Sequence, residues 1–95
     1  LVCGCDGVVS GCSGPFPEAF VAVYKAFQDG DLAAARKAQV AATKLVQIMQ
    51  FGGDMSIFKN ILTFRGVPGG HMKKPLLDLT PEQVSQLKET VAPYI

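Results

Sequence analysis

The stretch LVCGCDGVVSGCSGPFPE, Leu1 to Glu18, decides how the rest of the chain is read. Within it, Gly7-Val8-Val9-Ser10-Gly11-Cys12 sets two adjacent β-branched residues between glycines. That is the pattern of a short strand with close backbone approaches on both sides. No comparable segment follows; after Pro17 the apolar spacing is that of helices. One strand cannot satisfy its own N–H and C=O groups, and buried ones need partners. The expectation is therefore a chain that belongs to a larger, sheet-containing fold.

Outward from that stretch, Gly14-Pro15-Phe16-Pro17 stops the strand, and Pro17 suits the first position of a helix, where its missing N–H costs nothing. Phe20, Val23, Tyr24 and Phe27 then fall at i, i+3, i+4 and i+7, one stripe of an amphipathic helix over Glu18 to Asp29. Gly30 ends it, and Asp31 is placed to cap a second helix running to about Phe51. The expected buried face of that helix is Leu32, Ala35, Ala38, Ala42, Leu45, Val46 and Met49. Gly52-Gly53 breaks it; Asp54 starts a third helix, Met55 to Arg65, with Ile57, Phe58, Ile61 and Leu62 inward and Gly66 at its end. After a Pro- and Gly-rich loop, Thr80-Pro81-Glu82-Gln83 has the residues of a capping box, with Pro at the first helical position. The last helix should run to about Ala92, bury Val84, Leu87 and Val91, and close at Pro93.

Composition excludes several classes of partner. The 95 residues carry nine Lys+Arg against eight Asp+Glu, and no basic run exceeds Lys73-Lys74, so a nucleic-acid footprint is lacking. No apolar run approaches the roughly 20 residues that cross a bilayer, and Leu1 to Cys5 lacks a basic leader. Three cysteines, Cys3, Cys5 and Cys12, make a poor disulfide framework and favour a reducing, intracellular setting. They also lack the further ligands of a metal site, since the single histidine, His71, is remote in sequence. The glycines at 4, 7, 11 and 14 match neither phosphate-binding fingerprint and read as turn formers. Cys12 with His71 would be the one nucleophile–base pair, and nothing in the sequence brings them together. Lys59, at the edge of an apolar face, reads as a snorkelling side chain. Arg65 suits a helix C-terminus.

Taken in order, these segments resemble the C-terminal part of the dihydrodipicolinate synthase and N-acetylneuraminate lyase family of class I aldolases. Gly4-Cys5-Asp6-Gly7-Val8-Val9-Ser10-Gly11 with Phe16-Pro17-Glu18 resembles that family's eighth barrel strand and the turn into its eighth helix. Tyr24 to Arg36, through Gly30-Asp31, is similar to its helix–Gly-Asp–helix junction. Phe58-Lys59-Asn60-Ile61-Leu62, Gly66-Val67-Pro68, Lys74-Pro75-Leu76 and the Thr80 cap follow in the family's order.

The resemblance implies a mainly α chain: the last strand of a (β/α)8 TIM barrel and its helix over residues 1–30, then a C-terminal helical appendage over residues 31–95. It implies a parent that forms a Schiff base between a lysine amine and pyruvate or another 2-oxo acid, with no cofactor or metal. The family positions of that lysine, of the proton-shuttling tyrosine and of the carboxylate-binding turn are outside this chain, so no catalytic residue is assigned and the chain alone should be inactive. By the same resemblance Val9 and Ser10 face the imine, and Gly11, Cys12 and Ser13 line the pocket rim. The competing expectation is a non-catalytic helical module for interaction or oligomerisation. Either way, the apolar stripes and the lone strand favour a cytoplasmic homo-oligomer, with helix or strand exchange between copies as one route.

Overall fold

A computed structural model describes residues 1–95 and contains four α-helices, α1 (Pro17–Gln28), α2 (Leu32–Ile48), α3 (Met55–Phe64) and α4 (Pro81–Val91), with 3₁₀ turns at Gly11–Ser13, Gln50–Gly52 and Ala92–Tyr94. The chain divides into two compact units, Leu1–Gln47 and Ile48–Ile95.

In the first unit the expected strand is not formed. Residues Gly7–Ser10 have no ladder partner, and Val9 is 103% exposed, with Val8 nearly as open. Ser10 keeps extended dihedrals, φ −142° and ψ 125°, so the local preference survives while the pairing is missing. A strand is a two-body structure, and here its second body is absent. Cys12 instead lies buried in the 3₁₀ turn, where the Ser13 hydroxyl donates to the Ser10 carbonyl at 2.7 Å. That turn packs on α1.

α1 starts at Pro17 as expected, directly after the buried Phe16. Its stripe is only half-covered: Phe20, Val23 and Phe27 are partly exposed and Tyr24 is exposed. The helix closes in a Schellman motif, with Gly30 N–H donating to Phe27 O and Asp31 N–H to Ala26 O, each at 3.0 Å. Gly30 has φ +76°, the left-handed conformation this motif demands. Asp31 Oδ1 then accepts from Ala34 N–H at 3.0 Å, capping α2 as expected. Ala35, Ala42 and Leu45 are buried along α2, Ala38 and Val46 are half-buried, and Leu32 is exposed rather than inward. α2 stops at Ile48, short of Phe51, because Gln50 and Phe51 take φ +52° and +55°. No right-handed helix continues through left-handed dihedrals.

The second unit is built on α3 and α4, which pack together. Asp54 Oδ1 accepts from Ser56 N–H at 3.0 Å and from the Ser56 hydroxyl, so the one fully buried serine is satisfied inside its own cap. Ile57, Phe58 and Ile61 are buried with Met49, Leu87 and Val91. Leu62 and Val84 are only half-buried. α3 ends in a second Schellman motif, Gly66 N–H to Thr63 O and Val67 N–H to Leu62 O, with Gly66 at φ +87°. The capping box of α4 forms in both directions: Gln83 N–H donates to Thr80 Oγ1 at 3.3 Å, and Thr80 N–H donates to Gln83 Oε1 at 2.9 Å. α4 itself ends at Val91, and Pro93 lies within the following 3₁₀ turn rather than just beyond a longer helix. Thr80→Ala removes one side of that box and should cost about 1 kcal/mol, read as a lower urea midpoint at unchanged slope. No helix is long and apolar enough to cross a membrane.

Candidate functional site

The Gly-rich stretch and α1 together border a groove of about 640 Å³ in the first unit. Val8, Ser10 and Ser13 line it together with Phe20 and Tyr24 of α1 and Gln39 of α2. Of the five residues expected at the pocket, Ser10 lines this groove. Val9 stands open to solvent, Gly11 is exposed in the 3₁₀ turn, and Cys12 is buried beneath it. Ser13, expected at the rim, does line it, with its hydroxyl proton directed to the Ser10 carbonyl.

The groove's chemistry is that of a binding wall. Its polar side chains are the hydroxyls of Ser10, Ser13 and Tyr24 and the amide of Gln39, set among apolar carbon. No lysine, histidine or carboxylate side chain borders it, so its own side chains offer no nucleophilic amine and no acid–base pair. Cys3 and Cys5 are exposed, and all three cysteines are free thiols. His, Cys, Asp and Glu side chains nowhere gather into a group of three that could hold a metal ion.

The second unit carries a different polar arrangement, around the connector between α3 and α4. Lys59 Nζ donates to the Gly69 carbonyl at 3.3 Å, so its ammonium is engaged rather than simply solvated as the sequence suggested. His71 is exposed, with Nδ1 3.0 Å from Asp78 Oδ2, while Met72 N–H donates to Asp78 Oδ1 at 2.7 Å. The backbone hydrogen bond from Met72, followed by the one from His71, holds the Asp78 carboxyl below its usual range. Sequence reasoning missed Asp78. Its partners lie six and seven residues away in a segment without periodicity, where spacing carries no information. A smaller cavity of about 270 Å³ is bordered by Ile57, Leu79 and Leu87 together with Asp54 and Gln83. Of its polar side chains, which also include Gln50, Gln86 and Thr90, Asp54 and Gln83 are committed to helix caps.

A sequence model of the family described as the dihydrodipicolinate synthetase family matches residues 1–93. An uncharacterized DapA-like lyase of Halobacterium salinarum is 30% identical over 94% of this chain. The N-acetylneuraminate lyase of Rhizobium meliloti is 27% identical over 97% of it, and the 4-hydroxy-tetrahydrodipicolinate synthase of Syntrophotalea carbinolica 28% identical over 99%. The chain spans 29%, 31% and 32% of those three relatives' lengths, respectively.

Proposed function

The chain belongs to the dihydrodipicolinate synthetase family, and from that premise we propose that it is the wall-forming segment of a Schiff-base lyase or synthase. Residues 1–30 supply the eighth strand of a (β/α)8 barrel and its helix; residues 31–95 supply the helical appendage. The observation that carries this reading is the ordered match through residues 1–93, set against relatives about three times as long. The absence of a ladder partner for Gly7–Ser10, with Ser10 in extended dihedrals, supports it, since a barrel neighbour would use the backbone groups of Gly7–Val9.

In the whole enzyme the reaction begins elsewhere. A lysine amine outside residues 1–95 attacks the carbonyl of pyruvate or a related 2-oxo acid, water leaves, and the protonated imine accepts the electron pair of the C–C bond that breaks, or returns it when one forms. Active sites of such barrels sit at the C-terminal ends of the strands. There Val9, Ser10, Gly11 and Cys12 border the substrate: the Val9 carbonyl and the Ser10 hydroxyl as hydrogen-bonding groups, Gly11 and Cys12 as the shape of the rim. The placement of Ser10 and Ser13 on the groove fits that role. The assembled enzyme is a cytoplasmic homo-oligomer.

Borohydride trapping with pyruvate tests the reading. The 95-residue chain should give no adduct by intact mass, and the longer polypeptide encoded with the preceding barrel units should give one on a lysine outside residues 1–95. A stable adduct on Lys59, or no adduct on either polypeptide, overturns it.

A further inference from the structure

The connector Val67–Leu79 has no helix or strand of its own, yet polar contacts hold it to α3 at one place and close it on itself at another. Near its start, three hydrogen bonds link Lys59, Thr63 and Gly69. Lys59 Nζ donates to Gly69 O at 3.3 Å, Gly69 N–H donates to Thr63 Oγ1 at 3.2 Å, and the Thr63 hydroxyl donates to Lys59 O at 3.0 Å. Near its end, both oxygens of one carboxylate are used, Asp78 Oδ1 by Met72 N–H and Oδ2 by His71. The residues enclosed by that second contact include exposed Lys73, Lys74, Leu76 and Leu77. The next residue, Leu79, borders the cavity against Ile57 and Leu87, and Thr80 caps α4.

We infer that this connector is a strap with two separable fasteners, one holding Gly69 to α3 through Lys59 and one closing the strap on itself at Asp78, of which protonation opens only the second. The two share no hydrogen bond, and the Lys59 charge is the smallest of the influences on Asp78. At the Asp78 end the charges acting on the carboxylate are His71, on the strap itself, and Lys59, on α3; none comes from α4. The carboxyl titrates below an ordinary aspartate, so this fastener is complete above the ordinary value and is lost as pH falls through the lower native one. At the Lys59 end an ammonium donates to a carbonyl, and acid leaves that bond intact. Acid therefore opens the loop from His71 to Asp78 while the Gly69 side stays on α3.

Two measurements on the full chain test this. In the first, the Met72 amide resonance is followed from neutral pH downward. It should move with a midpoint below that of Asp78 in a peptide spanning His71 to Leu79, while the Gly69 amide stays in place. A Met72 midpoint equal to or above the peptide's, or Gly69 moving in parallel, overturns the inference. The second uses trypsin at neutral pH. Asp78→Ala should speed cleavage of the Lys73–Lys74 bond severalfold without changing cleavage at Lys37 in α2. Lys59→Met should speed hydrogen exchange at Gly69 and leave Lys73 cleavage as in the parent. Equal cleavage in the parent and Asp78→Ala, or faster Lys73 cleavage in both variants, refutes two separable fasteners.

Discussion

Gly69→Ala is expected to destabilise the second unit by about 1–3 kcal/mol, the cost of forcing extra volume into a closed contact. A Cβ built at Gly69 runs into the main chain of Lys59, 2.7 Å from its carbonyl carbon and 2.8 Å from its Cα. Main chain in the middle of α3 cannot rotate aside as a side-chain tip would, so the connector must lift off the helix. Lifting it breaks the Lys59–Gly69 and Gly69–Thr63 hydrogen bonds together. Gly7→Ala is the matched control: that Cβ meets nothing within 4 Å and the residue has no left-handed φ, so its effect should stay within about 0.5 kcal/mol. Urea unfolding of both variants, with the Lys59 amide shift as a local reporter, decides the matter. If Gly69→Ala is as neutral as Gly7→Ala, the close approach of connector and helix does not exist in solution.

The largest loss should come from the core of the same unit. Phe58→Ala removes a ring from a site only 5% exposed and should cost about 3–5 kcal/mol, part of it transfer free energy and part the cavity left behind. Native domains have total stabilities of about 5–15 kcal/mol, and small ones sit low in that range. The variant should therefore lose the cooperative transition of residues 48–95 at ambient temperature, seen as collapse of amide dispersion for Met55–Phe64 and Pro81–Val91. Val9→Ala, at a fully exposed position, should leave the same spectra and the urea midpoint unchanged within about 0.5 kcal/mol. Retention of a cooperative transition near the parent midpoint in Phe58→Ala would show that α3 and α4 do not share one core.

Much of this could be read before any coordinates. The two glycine-terminated helices follow from residues that accept positive φ, and the caps at Asp31 and Thr80 from side chains that reach N–H groups two or three residues on. Those interactions close within five residues, so sequence spacing and spatial spacing are the same thing. The inward faces at Ala35, Ala42, Ile57, Phe58, Ile61 and Leu87 follow from the helical period for the same reason. The family, too, was legible from the order of short motifs across the chain, and the match over residues 1–93 agrees with it.

The errors fall where a structure needs a distant partner. Val8 and Val9 have strand propensity, but without a second strand they form no ladder and stay open to solvent. The end of α2 moved because Gln50 and Phe51 adopt a left-handed turn that nothing in their side chains announces. Of the expected binding residues, Ser10 and Ser13 border the groove, while Val9 is fully exposed and Cys12 is buried in the 3₁₀ turn that packs on α1. Local backbone chemistry, then, was determined by the sequence alone: where helices begin, which face turns inward, how each one ends. Only the tertiary structure decided which of those pieces touch, that Lys59 reaches Gly69 and that Asp78 closes on Met72 and His71. The physical reason is that contacts across a loop depend on its whole path in space, and no periodicity in the residues between them encodes that path.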